Sequence, residues 1–226
     1  MTRFVIFANG EIGDLERVRS LIRPTDIILC ADGGSHHALA LGLTPNLIIG
    51  DLDSIQGDDL AAIQSAGIPV RQHSHDKDET DLELTLHYAV EQHPSSIVII
   101  AALGRRLDHA IGNIAMLTDP DLASLDVRLD DGLEEVLFCR QQSIIEGRVG
   151  DLVSLIAWGG AAQGVHTTGL KWPLQAEVLY ADKTRGISNE MLDATAGVSL
   201  TSGLLLVIHR RQTRPENLRS DTERLP

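Results

Sequence analysis

The sequence predicts an α/β protein: a doubly wound, mainly parallel sheet followed by a smaller all-β sandwich. Three observations carry this. Short apolar runs rich in β-branched residues alternate with helical periodicity up to about residue 130. Beyond that point glycine-punctuated alternating runs take over. The chain has 226 residues and is 43% hydrophobic, and a chain of this size buries roughly 70% of its unfolded surface without needing disulfides or metals as staples.

Taken in order, "FVIFA" (4–8), "DIILCA" (26–31), "NLIIG" (46–50), "IPVRQ" (68–72) and "SIVIIAAL" (96–103) read as buried parallel strands, because both of their faces are apolar. "SHH" at 35–37 starts a helix. Residues 60–66, 80–92 and 107–117 carry helical patterns; in the second of these Leu82, Leu86, Ala89 and Val90 share a face. Strand and helix in turn make βαβ units. After residue 130, "DLVSLIAW", "AEVLYA", "GVSLTS" and "LLLVIHR" alternate, with glycines between them, as sandwich strands do. The division expected is 1–130, 131–211 and a polar tail, 212–226.

Formal net charge is −13. Such a surface repels nucleic-acid backbones, and no basic stripe offsets it. No apolar run approaches the roughly 20 residues of a membrane span, and the N-terminus has no signal-peptide pattern. Cys30 and Cys139 lie in apolar runs and read as buried thiols of a reducing compartment. A cytoplasmic protein is expected, with no nucleic-acid or membrane partner.

In an open α/β sheet, ligands bind beyond the carboxyl ends of the strands. Aspartates gather there. Asp32 follows the second strand in "ADGG", Asp51 and Asp53 follow the third, and Asp76, Asp78 and Asp81 follow the fourth. Asp108 follows the fifth. In an extended chain residues 51 and 53 point the same way. Two carboxylates ~5 Å apart repel by roughly 3 kcal/mol at an effective dielectric near 20. A divalent cation relieves this, and Mg²⁺ is held by one or two carboxylates plus phosphates. Asp81 offers a third oxygen. Helix capping by Asp53-Ser54 and first-turn charge bias at Asp78 and Asp81 are the plainer accounts of single residues, but they do not explain the whole set on one sheet edge. Lys77, Arg105 and Arg106 supply positive charge suited to phosphate, and Gly33 and Gly34 allow close backbone approach to a ligand. No Walker A pattern is present. His73 and His75 alternate as zinc ligands sometimes do. Lys77 occupies the place where a zinc hydrolase needs its next ligands, so these two read as exposed strand-end histidines.

"ADGGSHHAL", "IIGDLDSI", "DKDETDLELTL" and "GRRLDHAIGNI", in this order, then "GLKWPL" and "GISNE", resemble the thiamine pyrophosphokinase family from about residue 4 to 210. The resemblance implies a nucleotide domain joined to a thiamine-binding sandwich, and a homodimer with thiamine at the interface. The implied reaction moves pyrophosphate from ATP to thiamine's hydroxyl, leaving AMP. It implies Asp51, Asp53 and Asp81 as catalytic Mg²⁺ ligands. By the same resemblance Asp32, Gly33, Lys77, Asp78, Thr80, Arg106 and Asp108 would line the nucleotide site, and Trp172, Ser188 and Asn189 would face thiamine. From the residues alone, Trp172 belongs to a sandwich core. Two departures stand out. Arg105 occupies a position where the family usually has glycine, and Ile187 replaces a threonine before Ser188-Asn189. The general base is unassigned. The rivals are a pyrophosphokinase acting on another alcohol such as a pterin, and a nucleotide- or thiamine-binding protein without turnover.

Overall fold

The computed structural model describes residues 2–55, 57–104 and 106–212. The first half alternates strand and helix: β1 (Arg3–Phe7), α1 (Leu15–Leu21), β2 (Ile27–Ala31), α2 (Ser35–Ala40), β3 (Leu47–Gly50), α3 (Gly57–Ser65), β4 (Val70–Gln72), α4 (Asp81–Glu91), β5 (Ser96–Ile100), α5 (Leu107–Met116) and β6 (Asp126–Asp130). The sequence pattern announces neither α1 nor β6, and β4, expected to be buried, is exposed along its length because it is the edge strand of the sheet. These six strands run parallel in the order β4-β3-β2-β1-β5-β6.

Strand alternation explains the two helical layers. Val5, Phe7, Ile28, Cys30 and Ile48 face one way, onto Val18 of α1, Ala38 of α2 and Ile63 of α3. Phe4, Ile6, Leu29, Ile97 and Ile99 face the other way, onto Leu82, Leu86 and Ala89 of α4. The sheet is therefore doubly wound. Local chemistry starts the helices. The Asp14 carboxylate accepts from Arg17 N at 3.0 Å at the head of α1. Thr80 Oγ1 accepts from Glu83 N at 3.2 Å at the head of α4, in the S/T-x-x-E pattern of a capping box.

The second half comprises β7 (Glu134–Cys139), β8 (Gln142–Glu146), β9 (Leu152–Ala157), β10 (Ala162–Thr168), β11 (Glu177–Leu179), β12 (Asn189–Glu190), β13 (Thr195–Ser199) and β14 (Leu205–Arg210). It does not build both of its sheets separately. β7 pairs antiparallel with β6, placing Leu129 opposite Val136. Then β14, β9 and β12 extend the same sheet to ten strands. The remaining four, in the order β11-β10-β13-β8, cover that extension. Leu137, Cys139, Leu155 and Val207 of the large sheet pack onto Ile145, Val165, Ala196 and Val198 of the small one. The sandwich thus borrows the far half of the first sheet.

A buried polar seam crosses the β7–β14 pair. His209 has no exposed surface. Its Nε2 lies 2.9 Å from Asp151 Oδ2, and its Nδ1 lies 3.4 Å from Glu135 Oε2. Arg128 donates to Glu135 Oε1 at 2.8 Å, and Arg211 forks onto Asp130 at 2.7 Å through both nitrogens. Burial pushes the Glu135 carboxyl up, but the hydrogen bond to His209 and the charge of Arg128 outweigh it and bring it down to about 2. The folded value lies below the unfolded one, near 4.5. The stabilisation, roughly 3 kcal/mol, is therefore complete above about pH 4.5 and lost as pH falls towards 2. Melting temperatures measured across that window are expected to fall steeply with acid in the parent chain and much less steeply in Glu135→Gln. Equal slopes would remove Glu135 from the acid response.

Candidate active site

Three neighbouring loops meet at the carboxyl ends of β2, β3 and β4. Asp32 closes β2 with φ at 44° and is buried. Its Oδ1 accepts from Leu52 N at 2.8 Å and its Oδ2 from Ser54 N at 3.1 Å. Burial pushes this carboxyl up, and the Ser54 and Leu52 donors only partly counter it. The Asp32 side chain thus holds the loop that carries Asp51 and Asp53.

That loop is not extended. Leu52 sits at φ 71°, a conformation costly for a branched residue, and Asp53 N donates to Asp51 Oδ1 at 3.1 Å. Asp51 and Asp53 converge because the chain turns between them, not because a strand alternates. Between their carboxylates stands His75. Its Nδ1 lies 2.7 Å from Asp51 Oδ2 and 3.3 Å from Asp53 Oδ2. The His75 contact, then the Asp53 amide, hold the Asp51 carboxyl below the usual carboxylate range.

Oxygens of Asp32, Asp51 and Asp81 lie within 4.8 Å of one another, and ligand atoms of Asp51, Asp53 and His75 form a second such group. The expected trio of Asp51, Asp53 and Asp81 is thus divided: Asp32 stands with Asp51 and Asp81, and Asp53 stands with Asp51 and His75. Lys77 Nζ donates to Asp81 Oδ1 at 2.8 Å. Burial pulls this ammonium down, but the Asp81 hydrogen bond and the charges of Asp81, Asp51 and Asp32 hold it above its ordinary range.

On the sandwich side Trp172 is 53% exposed, so it is no core residue. Lys171 Nζ lies 5.0 Å from its ring centroid. Asn189 is buried. Its Oδ1 accepts from Trp172 N at 3.0 Å and its Nδ2 donates to Trp172 O at 2.7 Å. Asn189 therefore fixes the tryptophan's backbone, and its amide is already committed there. Ser188 is exposed at φ 58° and donates its N–H to Ser154 Oγ at 3.0 Å.

Residues 18–129 match the model of the thiamin pyrophosphokinase catalytic domain, and residues 141–205 match that of its vitamin B1 binding domain. A curated thiamine pyrophosphokinase of Bacillus subtilis is 30% identical over 179 residues, covering 78% of this chain and 84% of that protein. The chain belongs to the thiamine pyrophosphokinase family. Thiamine pyrophosphokinase 1 of Arabidopsis thaliana is 31% identical over 209 residues, covering 82% of this chain and 78% of that one. The crystal structure of the Bacillus subtilis thiamine pyrophosphokinase superposes with a TM-score of 0.83 at 26% identity, covering 94% of this chain and all of that one.

The other residues that the family resemblance singles out fall as follows. Asp78 is exposed, next to Lys77. The Thr80 hydroxyl is the α4 cap described above. Arg106 forks onto Asp108 at 3.1 and 2.5 Å, both side chains being exposed. Arg105 and the tail beyond residue 212 lie outside the described residues. The glycines of "ADGG" serve the chain's own packing. A methyl on Gly33 would meet Asn9 Nδ2 at 2.6 Å, and one on Gly34 would lie 2.1 Å from the Phe7 carbonyl oxygen. Backbone cannot yield there as a side-chain tip can. Gly34→Ala is expected to destabilise the fold by about 2 kcal/mol or more, read as a lower denaturation midpoint. An unchanged midpoint would show that the β1 backbone has room to move. His75 was not counted with the site in the sequence; the signal was an "HSHD" stretch directly before the acidic loop.

Proposed function

We propose that this chain transfers pyrophosphate from ATP to the hydroxyl of thiamine, giving thiamine diphosphate and AMP. The observation that carries this is the Asp32, Asp51 and Asp81 group beside Lys77, at the carboxyl edge of a doubly wound sheet, in a member of this family. Three carboxylate oxygens within 4.8 Å make an all-oxygen donor set of the kind Mg²⁺ takes, so the residues fit the cation. Asp51 and Asp81 are assigned as its ligands, with Asp32 or Asp53 completing the set. The bound cation supplies charge that neutralises polyphosphate oxygens. Lys77 adds a fixed positive charge, and Arg106 adds a second once its fork leaves Asp108. Phosphoryl transfer asks the protein mainly for such positioning and charge.

We assign residues 1–130 to the nucleotide and 131–211 to thiamine. An exposed indole face suits a flat aminopyrimidine and a cationic thiazolium. The sheet order supports a shared site. Trp172 is tied to Asn189 of β12, and the acidic loops follow β2, β3 and β4. Seven strands stand between β12 and β3, about 38 Å at roughly 4.8 Å per step. One small alcohol does not bridge that distance, so a second copy must bring its Trp172 to the acidic edge. Exposed apolar side chains on both halves support such an interface: Leu107 and Ile111 on α5, and Tyr180, Ile187 and Leu192 in the second half. We place the protein in the cytoplasm on its two buried free thiols; no described helix is long and apolar enough to cross a membrane.

The test is purified protein with ATP, Mg²⁺ and thiamine. AMP and thiamine diphosphate are expected together. AMP formed with a pterin alcohol but not with thiamine would move the substrate, and no AMP with any alcohol would leave a binding protein.

A further inference from the structure

We propose that Asp151 and His209 are positioning residues for thiamine binding: their buried pair anchors the β12 segment that presents Trp172. The proposal rests on the reading above that Trp172 contacts thiamine, and it names what holds that contact surface in place. Both residues are buried, Asp151 at 3% and His209 at 0% exposure. The Asp151 Oδ2 lies 2.9 Å from His209 Nε2 and accepts from Arg148 N at 3.0 Å. Its Oδ1 accepts from Gln212 N at 2.9 Å. The side chain is thus tied to β14 and the residues that follow it. The main chain is tied elsewhere. Asp151 O accepts from Met191 N at 2.8 Å, and Gly150 N donates to Met191 O at 2.8 Å. Met191 directly follows β12. Gly147 shows how closely these groups meet. A methyl there would lie 2.8 Å from Asp151 Oδ2, His209 Nε2 and Met191 Sδ alike.

From β12 the path to the indole is short. Leu170 bridges to Met191, and Glu190 O accepts from Lys171 N at 2.9 Å. Asn189 then clamps the Trp172 backbone through both its oxygen and its nitrogen. β12 is only two residues long and pairs with β9 at Asn189 and Glu190 alone. So short an edge strand has few ladder bonds of its own, and the Asp151 anchor sets where it lies. The anchor is charge-assisted. Burial pushes the Asp151 carboxyl up, but the Gln212 amide and His209 outweigh it and hold it below the usual carboxylate range. An ionised carboxylate only accepts, so His209 donates to it. A bond of this kind is roughly twice as strong as one between neutral groups, and burial shields it from the salt that screens exposed pairs.

The experiment compares Asp151→Asn with His209→Gln in the full chain. Asp151→Asn is expected to raise the Michaelis constant for thiamine at least about fivefold while that for ATP stays within about twofold. His209→Gln keeps a donor for Asp151 and should hold the thiamine constant within about twofold, although its melting temperature falls as Glu135 loses a partner. Should Asp151→Asn fail to fold, Asp151→Glu keeps the charge but displaces it, and should show the same change in smaller degree. A second readout needs no turnover. The chain has two tryptophans, so Trp158→Phe leaves Trp172 as the single fluorophore. Adding Asp151→Asn to it should speed the local rotation of the indole in time-resolved anisotropy. Equal rises in both Michaelis constants would reduce the pair to general stability and overturn the proposal. Thiamine kinetics and indole rotation both unchanged would overturn it as well. Faster indole rotation in the variant of a chain that makes no thiamine diphosphate would leave the anchor standing and overturn the functional reading alone.

Discussion

Asp51→Asn is expected to lower thiamine diphosphate formation by at least about a thousandfold and to leave the fold in place. Asp51 is shared by both groups of candidate ligand atoms, so in the proposed function its charge would serve whichever cation neutralises the transferred phosphates. Asparagine keeps the shape and one oxygen but removes the charge. The structural cost is small, since the partner lost, His75, is largely solvent-exposed, and solvent screens such a pair. Asp81→Asn should follow closely, although it also releases Lys77. Asp53→Asn should lose less, because Asp53 stands outside the Asp32, Asp51 and Asp81 group. Initial rates of AMP release at saturating Mg²⁺, with melting curves alongside, read all three. An Asp51→Asn protein within about tenfold of the parent rate, a difference of about 1.4 kcal/mol, would take that residue out of the metal site.

Trp172→Ala should raise the Michaelis constant for thiamine at least about tenfold, or 1.4 kcal/mol, and leave that for ATP nearly unchanged. In the proposed function the indole would contribute stacking and a cation–π attraction of up to ~2 kcal/mol once desolvated. The ring is already presented: 53% exposed, with its backbone clamped by Asn189. Truncation therefore removes a contact surface and leaves no core cavity. Asn189→Ala should produce part of the same loss by freeing the Trp172 backbone. The sheet geometry extends the prediction to mixtures. If Trp172 of one copy serves the acidic loops of another, hybrid dimers of Trp172→Ala with Asp51→Asn carry one intact site. Mixing the two under conditions of subunit exchange should restore activity above the sum of the separate proteins. Unchanged thiamine kinetics in Trp172→Ala would strip that residue of its role, and an active monomer by light scattering would end the shared-site reading.

How much of this was legible beforehand differs by element. Strands β1, β2, β3 and β5 were readable because both of their faces are apolar, and α4 because its apolar residues recur with helical period; β4 is exposed along its length, and β6 was not read as a strand. Helices α1 and α2 were the weak points. α1 has one fully buried residue, Val18, and α2 is only six residues long, so neither shows much periodicity. The acidic edge was legible for a different reason. Strand ends bring loops together by topology, so Asp32, Asp51, Asp53 and Asp81 could be placed on one edge without coordinates, though not sorted into groups.

What the sequence determined by itself was the layer order, the aspartate-lined edge and, through six ordered motifs, the family. Tertiary structure alone decided the rest. It split the aspartates into two groups, because the turn at Leu52 depends on Asp32 accepting from amides twenty and twenty-two residues away. It turned Trp172 outward and committed Asn189 to its backbone, a pairing across seventeen residues. It also joined both halves in one ten-stranded sheet, since β6 and β7 share a ladder. Each of these is a contact between residues distant in the chain, and local periodicity and composition carry no information about which distant groups will meet.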